Sequence, residues 1–162
     1  MNIEIERKFL VKDQSWITNA VGIRYCQGYF GSNGSVATRI RIAGEKGFIT
    51  IKSAVKGISR SEFEYEIPVS DAAIMLKTMC SKPLVEKTRY CVEYDNLIWE
   101  IDIFDGANSG LIMAEVELTS EKQQVNLPSW IEKEVTGKIR YYNSRLINHP
   151  YSKWNEAEKR GL

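Results

Sequence analysis

The chain has 162 residues, with 22 Lys and Arg against 21 Asp and Glu, a formal net charge of +1. One domain is the expectation at this length, and the balanced charge excludes the broad basic surface that duplex nucleic acid selects. The single histidine, His149, excludes sites built on several imidazoles and leaves carboxylates, Lys and Arg to carry any chemistry.

Period-two alternation starts at the N-terminus. Over residues 3–11, Ile3, Ile5 and Phe9 fall on one face and Glu4, Glu6 and Lys8 on the other. Residues 13–21 form a weak helix candidate. Residues 24–30 are a β-branched and aromatic run ending at a hairpin signal, Gly31-Ser32-Asn33-Gly34. Residues 36–42 set Arg39 and Arg41 against Ile40 and Ile42, and Gly44-Glu45-Lys46-Gly47 is the next turn. Strands are expected over 48–52 and, after a loop around Lys56-Gly57, over 61–69, where Glu62, Glu64 and Glu66 oppose Phe63, Tyr65 and Ile67. Ser70 is placed to N-cap a helix over 71–80 with Ala72, Met75 and Met79 on one face. Further strands are expected over 85–94, 97–104 and 111–118. Pro128 opens a third helix candidate over 129–134, and a fourth over 141–148 stops at Pro150. Residues 153–162 are charged and expected to fray. Trp16, Trp99, Trp130 and Trp154 are read as packing residues.

Charges recur two apart on nearly every strand: Arg39/Arg41, Lys87/Arg89, Glu100/Asp102 and Glu115/Glu117, with Lys52 single. An open sheet would need a covering layer of helices, and the candidates are too few. About eight short strands with tight turns imply antiparallel neighbours, and eight antiparallel strands can close into a barrel that holds one small ligand. The fold class expected is α+β, mainly antiparallel β: a closed eight-stranded barrel with short flanking helices. The charges then line its interior. Buried charges must be paired or bind ions. A polyphosphate with a divalent cation satisfies both signs at once.

Several segments carry a family resemblance. Glu4-Ile5-Glu6-Arg7-Lys8 is an ExExK strand. Gln27-Gly28-Tyr29, Arg39-Ile40-Arg41, Thr50-Ile51-Lys52, Arg60-Ser61-Glu62-Phe63-Glu64 and Glu86-Lys87-Thr88-Arg89-Tyr90 follow in order. Trp99-Glu100-Ile101-Asp102, Glu115-Val116-Glu117, Glu134-Val135-Thr136 and Arg140-Tyr141-Tyr142-Asn143 complete the set. Together they resemble the CYTH superfamily, the triphosphate tunnel metalloenzymes, of the short single-domain bacterial type. The likeness spans residues 1–148 as the tunnel domain, with 149–162 a polar C-terminal tail. Where short members often carry a Lys before the Arg-Tyr of the tail, this chain has Ile139, with Lys138 one place earlier.

The resemblance implies a tunnel open at its ends that binds triphosphate with Mg²⁺ or Mn²⁺. Glu4, Glu6, Asp102, Glu115 and Glu117 are then the expected metal ligands. Lys8, Arg39, Arg41, Lys52, Lys87 and Arg89 are the expected phosphate binders. Lys8, Tyr29, Glu62 and Glu64 are the expected catalytic groups, with Tyr29 bonding Lys8 and the two acids orienting arginines or water. The expected reaction is hydrolysis of inorganic triphosphate. The alternatives are a class IV-type adenylyl cyclase, a thiamine triphosphatase and a non-enzymic polyphosphate or nucleotide binder. Cys26, Cys80 and Cys91 are an odd, widely spaced set, as in a reducing compartment. No apolar run nears the ~18 residues of a membrane span. A cytoplasmic protein is expected, with a small-molecule substrate, no membrane and no duplex nucleic acid; a homodimer is compatible with the sequence.

Overall fold

Alternation carries the chain through eight long strands and one short one, and their pairing closes the first eight on themselves. The computed structural model describes residues 3–17, 19–30, 36–54 and 59–162. The hairpin signal at 31–34 and the loop at 56–57 lie outside the described residues. The strands are β1 (Ile3–Val11), β2 (Ile23–Tyr29), β3 (Val36–Ala43), β4 (Lys46–Ser53), β5 (Ser59–Ile67), β6 (Val85–Tyr94), β7 (Leu97–Phe104), β8 (Ile112–Glu117) and β9 (Ile131–Glu134). Their order is β5-β4-β3-β2-β6-β7-β8-β1-β9, and a further β1–β5 pairing closes the barrel. All pairs are antiparallel, which tight hairpins permit. At the β6–β7 turn, Asp95 and Asn96 both take positive φ, 51° and 61°, as a two-residue type I′ turn requires.

β1 is the keystone. One edge pairs with β8 from Glu6 to Leu10. The other edge is split: Ile3–Ile5 hold β5, and Phe9–Val11 hold β9. Residues 129–134 were expected to be helical, but 131–134 form β9, because the end of β1 offers an unpaired edge that a local helix signal cannot outweigh.

The outer face is apolar, as alternation requires. Phe9, Trp99, Ile101, Ala114 and Val116 pack beneath Trp16, Leu118, Trp130 and Ile131. Helix α1 (Val69–Thr78) lays Ala72 and Leu76 on Ile40, Ile42 and Ile49. Its N-cap is Pro68 rather than Ser70, without a side-chain cap bond. Met79, expected on its apolar face, is exposed, and Leu76 takes that place. Gly28 of β2 lets the chain after α1 approach, since a Cβ there would lie 2.7 Å from Cys80 Cβ and 2.8 Å from Leu84 Cδ2.

The other helix expectations change as well. Described residues within 13–21 form a turn, because the Asp13 carboxylate accepts from the Ser15 backbone N–H at 2.9 Å and Trp16 drops onto Tyr90. Residues 141–148 hold only a 3₁₀ turn (Ile139–Tyr141) and the four-residue α2 (Asn143–Leu146). The last residues do not fray. Trp154 is buried against Tyr141 and Tyr151, and Asn155 and Glu158 form a capping box on α3 (Glu156–Lys159).

Inside the barrel the lining changes character along its axis. At one end the inward positions are Leu10, Val85, Phe104 and Met113, and Tyr141, Leu146, Ile147 and Trp154 pack on them in one apolar core. That end is filled, so the expectation of a tunnel open at both ends gives way to a cavity whose floor rests on an apolar plug. No helix among the described residues is long and apolar enough to cross a membrane.

Candidate active site

Above the floor the inward positions are charged, and they enclose a cavity of about 240 Å³. Register decides which charges meet. Glu6 lies opposite Glu117 and Lys8 opposite Glu115 across β1–β8. Glu100 lies opposite Glu115, and Arg89 opposite Asp102. Lys52 and Thr50 face Glu62 and Glu64 across β4–β5, and the seam pair is Glu4 with Arg60. Among the described residues the lining holds six basic and seven acidic side chains, and Ala37 is the one aliphatic residue beside the rings of Tyr29 and Tyr142.

Each basic side chain of the lining pairs with an acid, although Arg39 Nε and Arg41 Nε stay without a partner among the described residues. Lys8 bonds Glu115 and reaches Glu6 Oε1 at 2.9 Å. Burial alone would lower the Lys8 ammonium, but Glu115 and Glu6 hold it above the ordinary lysine range. Burial likewise opposes ionisation of Glu115, yet Lys8, Arg89 and Lys87 hold its carboxyl well below the usual value. Lys52 contacts Glu62 at 2.6 Å and Glu4 at 3.1 Å; burial, then repulsion from Arg39, pushes its ammonium down. Arg39 and Arg41 share Glu64 at 3.0 and 2.8 Å, and Thr50 Oγ1 donates to the same carboxylate at 2.7 Å. Burial disfavours the Glu64 charge, but the Thr50 hydroxyl and the two arginines lower its carboxyl. Arg41 also lies over the rings of Tyr25 and Phe48, at 5.2 and 5.1 Å, a cation–π support for a desolvated guanidinium.

Glu117 differs. It makes no ion pair with any described residue. Burial raises its carboxyl, and Glu4, Glu100, Glu62 and Glu6 raise it further. One pole of the cavity is therefore acidic and self-repelling.

Among the expected site residues, Glu4, Glu6, Lys8, Tyr29, Arg39, Arg41, Lys52, Glu62, Glu64, Arg89, Glu115 and Glu117 line this cavity. Lys87 and Asp102 do not. They lie beneath it at 1% and 0% exposure, where Lys87 bonds Asp102 and Arg89 grips the same carboxylate with Nε at 2.7 Å and Nη2 at 2.6 Å. Their parity is right but their depth along the barrel is not. Tyr29 does not bond Lys8; Gln27 Nε2 donates to its hydroxyl at 3.0 Å, and burial raises the phenol. Ile139 is exposed and Lys138 donates to the Gly161 carbonyl, so neither joins the cavity. His149 is at the surface near Glu158, at 3.3 Å.

Sequence reasoning left out Arg60, Glu100 and the segment Tyr142-Asn143-Ser144, all of which line the cavity. Arg60 continues the parity of Glu62 and Glu64, and Glu100 that of Asp102, so the signal was present. Strand parity marks none of residues 142–144, which come from a non-strand segment, but Tyr142 and Asn143 belong to the tail motif that carries the family resemblance.

The CYTH domain family matches residues 2–151. The chain belongs to the CYTH family. An inorganic triphosphatase of Acetivibrio thermocellus is 43% identical over 156 residues, covering 96% of this chain and 100% of that protein. One from Nitrosomonas europaea is 40% identical over 148 residues, covering 88% and 95%. A solved structure of an inorganic triphosphatase superposes with a TM-score of 0.67 at 34% identity, covering 89% of this chain and 93% of that one.

A divalent cation fits this CYTH barrel by donor chemistry. Hard cations take carboxylate oxygens, and the acidic pole at Glu4, Glu6 and Glu117 offers them. Among the described residues no three Asp, Glu, His or Cys side chains stand arranged to hold an ion, because Glu4 and Glu6 are turned onto Lys52, Lys8 and Arg60.

Proposed function

We propose that this CYTH protein hydrolyses inorganic triphosphate to diphosphate and phosphate, with Mg²⁺ or Mn²⁺ as cofactor. The observation that carries the reading is the lining: most of its described residues are charged, Ala37 is the sole aliphatic one among them, and the volume is about 240 Å³. Pockets for drug-sized ligands run to roughly 300–1,000 Å³ and are mostly apolar. Among the described lining only the rings of Tyr29 and Tyr142 offer a flat surface to a purine or thiazole, whereas a bare triphosphate needs none.

In this reading Arg39, Arg41, Lys52, Lys8 and Arg89 grip phosphate oxygens; Arg suits bidentate contact and Lys a point charge. Glu4, Glu6, Glu115 and Glu117 hold the cation, which when bound offsets the charge that builds on the phosphoryl group. Glu62 and Glu64 hold Arg39, Arg41 and Lys52 in place and orient water, whose oxygen bonds to the terminal phosphorus as the bridging P–O bond breaks. Tyr29, kept protonated by burial, donates a hydrogen bond to phosphate. Lys87 and Asp102 hold Arg89 from below. We assign the activity to a domain of residues 1–148, with 149–162 packed back on it through Trp154, and to the cytoplasm, in keeping with the free thiols of Cys26, Cys80 and Cys91.

The test is a panel of inorganic triphosphate, ATP and thiamine triphosphate with Mg²⁺ or Mn²⁺, read by phosphate release and by cyclic AMP. Phosphate release fastest from inorganic triphosphate is expected. Cyclic AMP as main product, preference for an organic triphosphate, or binding without turnover overturns the reading.

A further inference from the structure

At the β1–β5 seam, Arg60 lies where the proposed cation should lie. Its Nε donates to Glu4 Oε2 at 2.6 Å and its Nη2 to Glu6 Oε1 at 3.1 Å. Lys52 reaches Glu4 but not Glu6, and Lys8 reaches Glu6 but not Glu4. Among the described cations, Arg60 alone bridges the two acids, the geometry a divalent ion held by both would need.

We propose that Arg60 is a built-in counter-ion: its guanidinium keeps the divalent-cation position at Glu4 and Glu6 and leaves it only when triphosphate arrives to receive the guanidinium. The proposal rests on the triphosphatase reading. Three observations carry it. First, a carboxylate pair facing Glu117 repels itself without a cation between, and Arg60 supplies one. Second, Arg60 can leave. Among the described residues its ion pairs are with Glu4 and Glu6 alone, and its side chain is 19% exposed, whereas Arg89 is held by Glu100, Asp102 and Glu115 at 9%. Third, among the described residues the lining carries one more acid than base, so a metal-free triphosphate meets net negative charge from them. A guanidinium and a divalent ion cannot share two carboxylates without strong repulsion. Triphosphate relieves it by binding the displaced guanidinium, so cation and triphosphate each raise the affinity for the other by the same factor.

The experiment measures Mn²⁺ affinity from the free-ion electron paramagnetic resonance signal, with and without a nitrogen-bridged, non-hydrolysable triphosphate analogue. It uses the full chain as wild type, Arg60→Gln and Arg60→Lys. Without the analogue, Arg60→Gln should bind Mn²⁺ at least about tenfold more tightly than wild type, the scale of one charge-assisted contact. The gain in Mn²⁺ affinity that the analogue gives should shrink by a similar factor. Arg60→Lys, which keeps the charge, should stay near wild type. Equal or weaker Mn²⁺ binding by folded Arg60→Gln overturns the proposal and leaves Arg60 as a structural tie across the seam. Should Arg60→Gln not fold, the wild type decides: no rise in Mn²⁺ affinity on adding the analogue overturns it. Triphosphate hydrolysis by the same wild-type preparation separates the two readings. If hydrolysis is absent the functional reading fails; if it is present and Mn²⁺ binding does not respond to Arg60, only the counter-ion proposal fails.

Discussion

The floor of the cavity and its seam hold the same kind of ion pair under opposite conditions. At the floor, Asp102 takes three hydrogen bonds from Lys87 and Arg89, and none of the three side chains is more than 9% exposed. At the seam, Arg60, Glu4 and Glu6 are each about one-fifth exposed, 18–20%. Removing a partner from a desolvated pair strands a charge that water cannot reach. Removing one from the seam leaves a charge that water or an incoming ion can meet. The floor is thus scaffold and the seam is exchangeable.

Two buried lysines show the same rule. Lys8 has Glu6 and Glu115 close by and keeps its proton firmly. Lys87 shares Asp102 with Arg89, and burial and then the Arg89 charge push its ammonium down to about 8. Burial is similar; the number of carboxylates per cation is not.

The largest effect should come from breaking the floor. Asp102→Ala strands Lys87 and strips two hydrogen bonds from Arg89, which keeps Glu100 and Glu115; it should cost about 3–5 kcal/mol of stability, read as a shifted denaturant midpoint, and a loss under 1 kcal/mol would put the floor on a par with the seam. At the acidic pole the sign reverses. Glu117→Gln removes a charge that pairs with no described residue and faces other acids, so the metal-free protein should melt no lower than wild type. Its hydrolysis rate should fall about a hundredfold, the upper end for a charge-assisted contact. A lower melting temperature with normal activity would make Glu117 structural. Lys52→Ala should be milder, because Glu4 keeps Arg60 and Glu62 keeps Arg39. A fall of about tenfold in kcat/KM with the fold retained is expected, and wild-type kinetics would remove Lys52 from the phosphate grip.

The most gradual effect is a pH slope. Above pH 8 the folded protein releases the Lys87 proton, while the unfolded chain keeps it up to the ordinary 10.5. The unfolded state then binds more protons, so stability rises with pH in this window, by up to about 1.4 kcal/mol per unit from this group. Wild type should gain on Lys87→Met between pH 8 and 10 in denaturant titrations. A pH-independent difference would show that Asp102 keeps Lys87 charged.

How much of this was legible before the structure depended on range. Parity is local: a strand turns alternate residues to opposite faces, so Glu4, Arg39, Arg41, Lys52 and Glu115 could be put on one surface from spacing alone. The same parity holds for Arg60 and Glu100, and only the weight given to them fell short. Depth along the barrel is not local. It follows from the stagger of each strand against its neighbours, and so Lys87 and Asp102 looked like cavity residues but lie below it.

Local pattern dictated β1 to β8, their two faces, the closure of the sheet and the chemistry of its interior, because a period-two pattern of charges on too many strands for so few helices has few other solutions. Tertiary structure alone decided which acid each base meets, that 131–134 is a strand, and that the C-terminal segment fills one end. Each of these depends on an edge, a register or a void created by residues far away in the chain. A local propensity of a few tenths of a kcal/mol per residue gives way when such a neighbour offers unpaired backbone or apolar surface to bury.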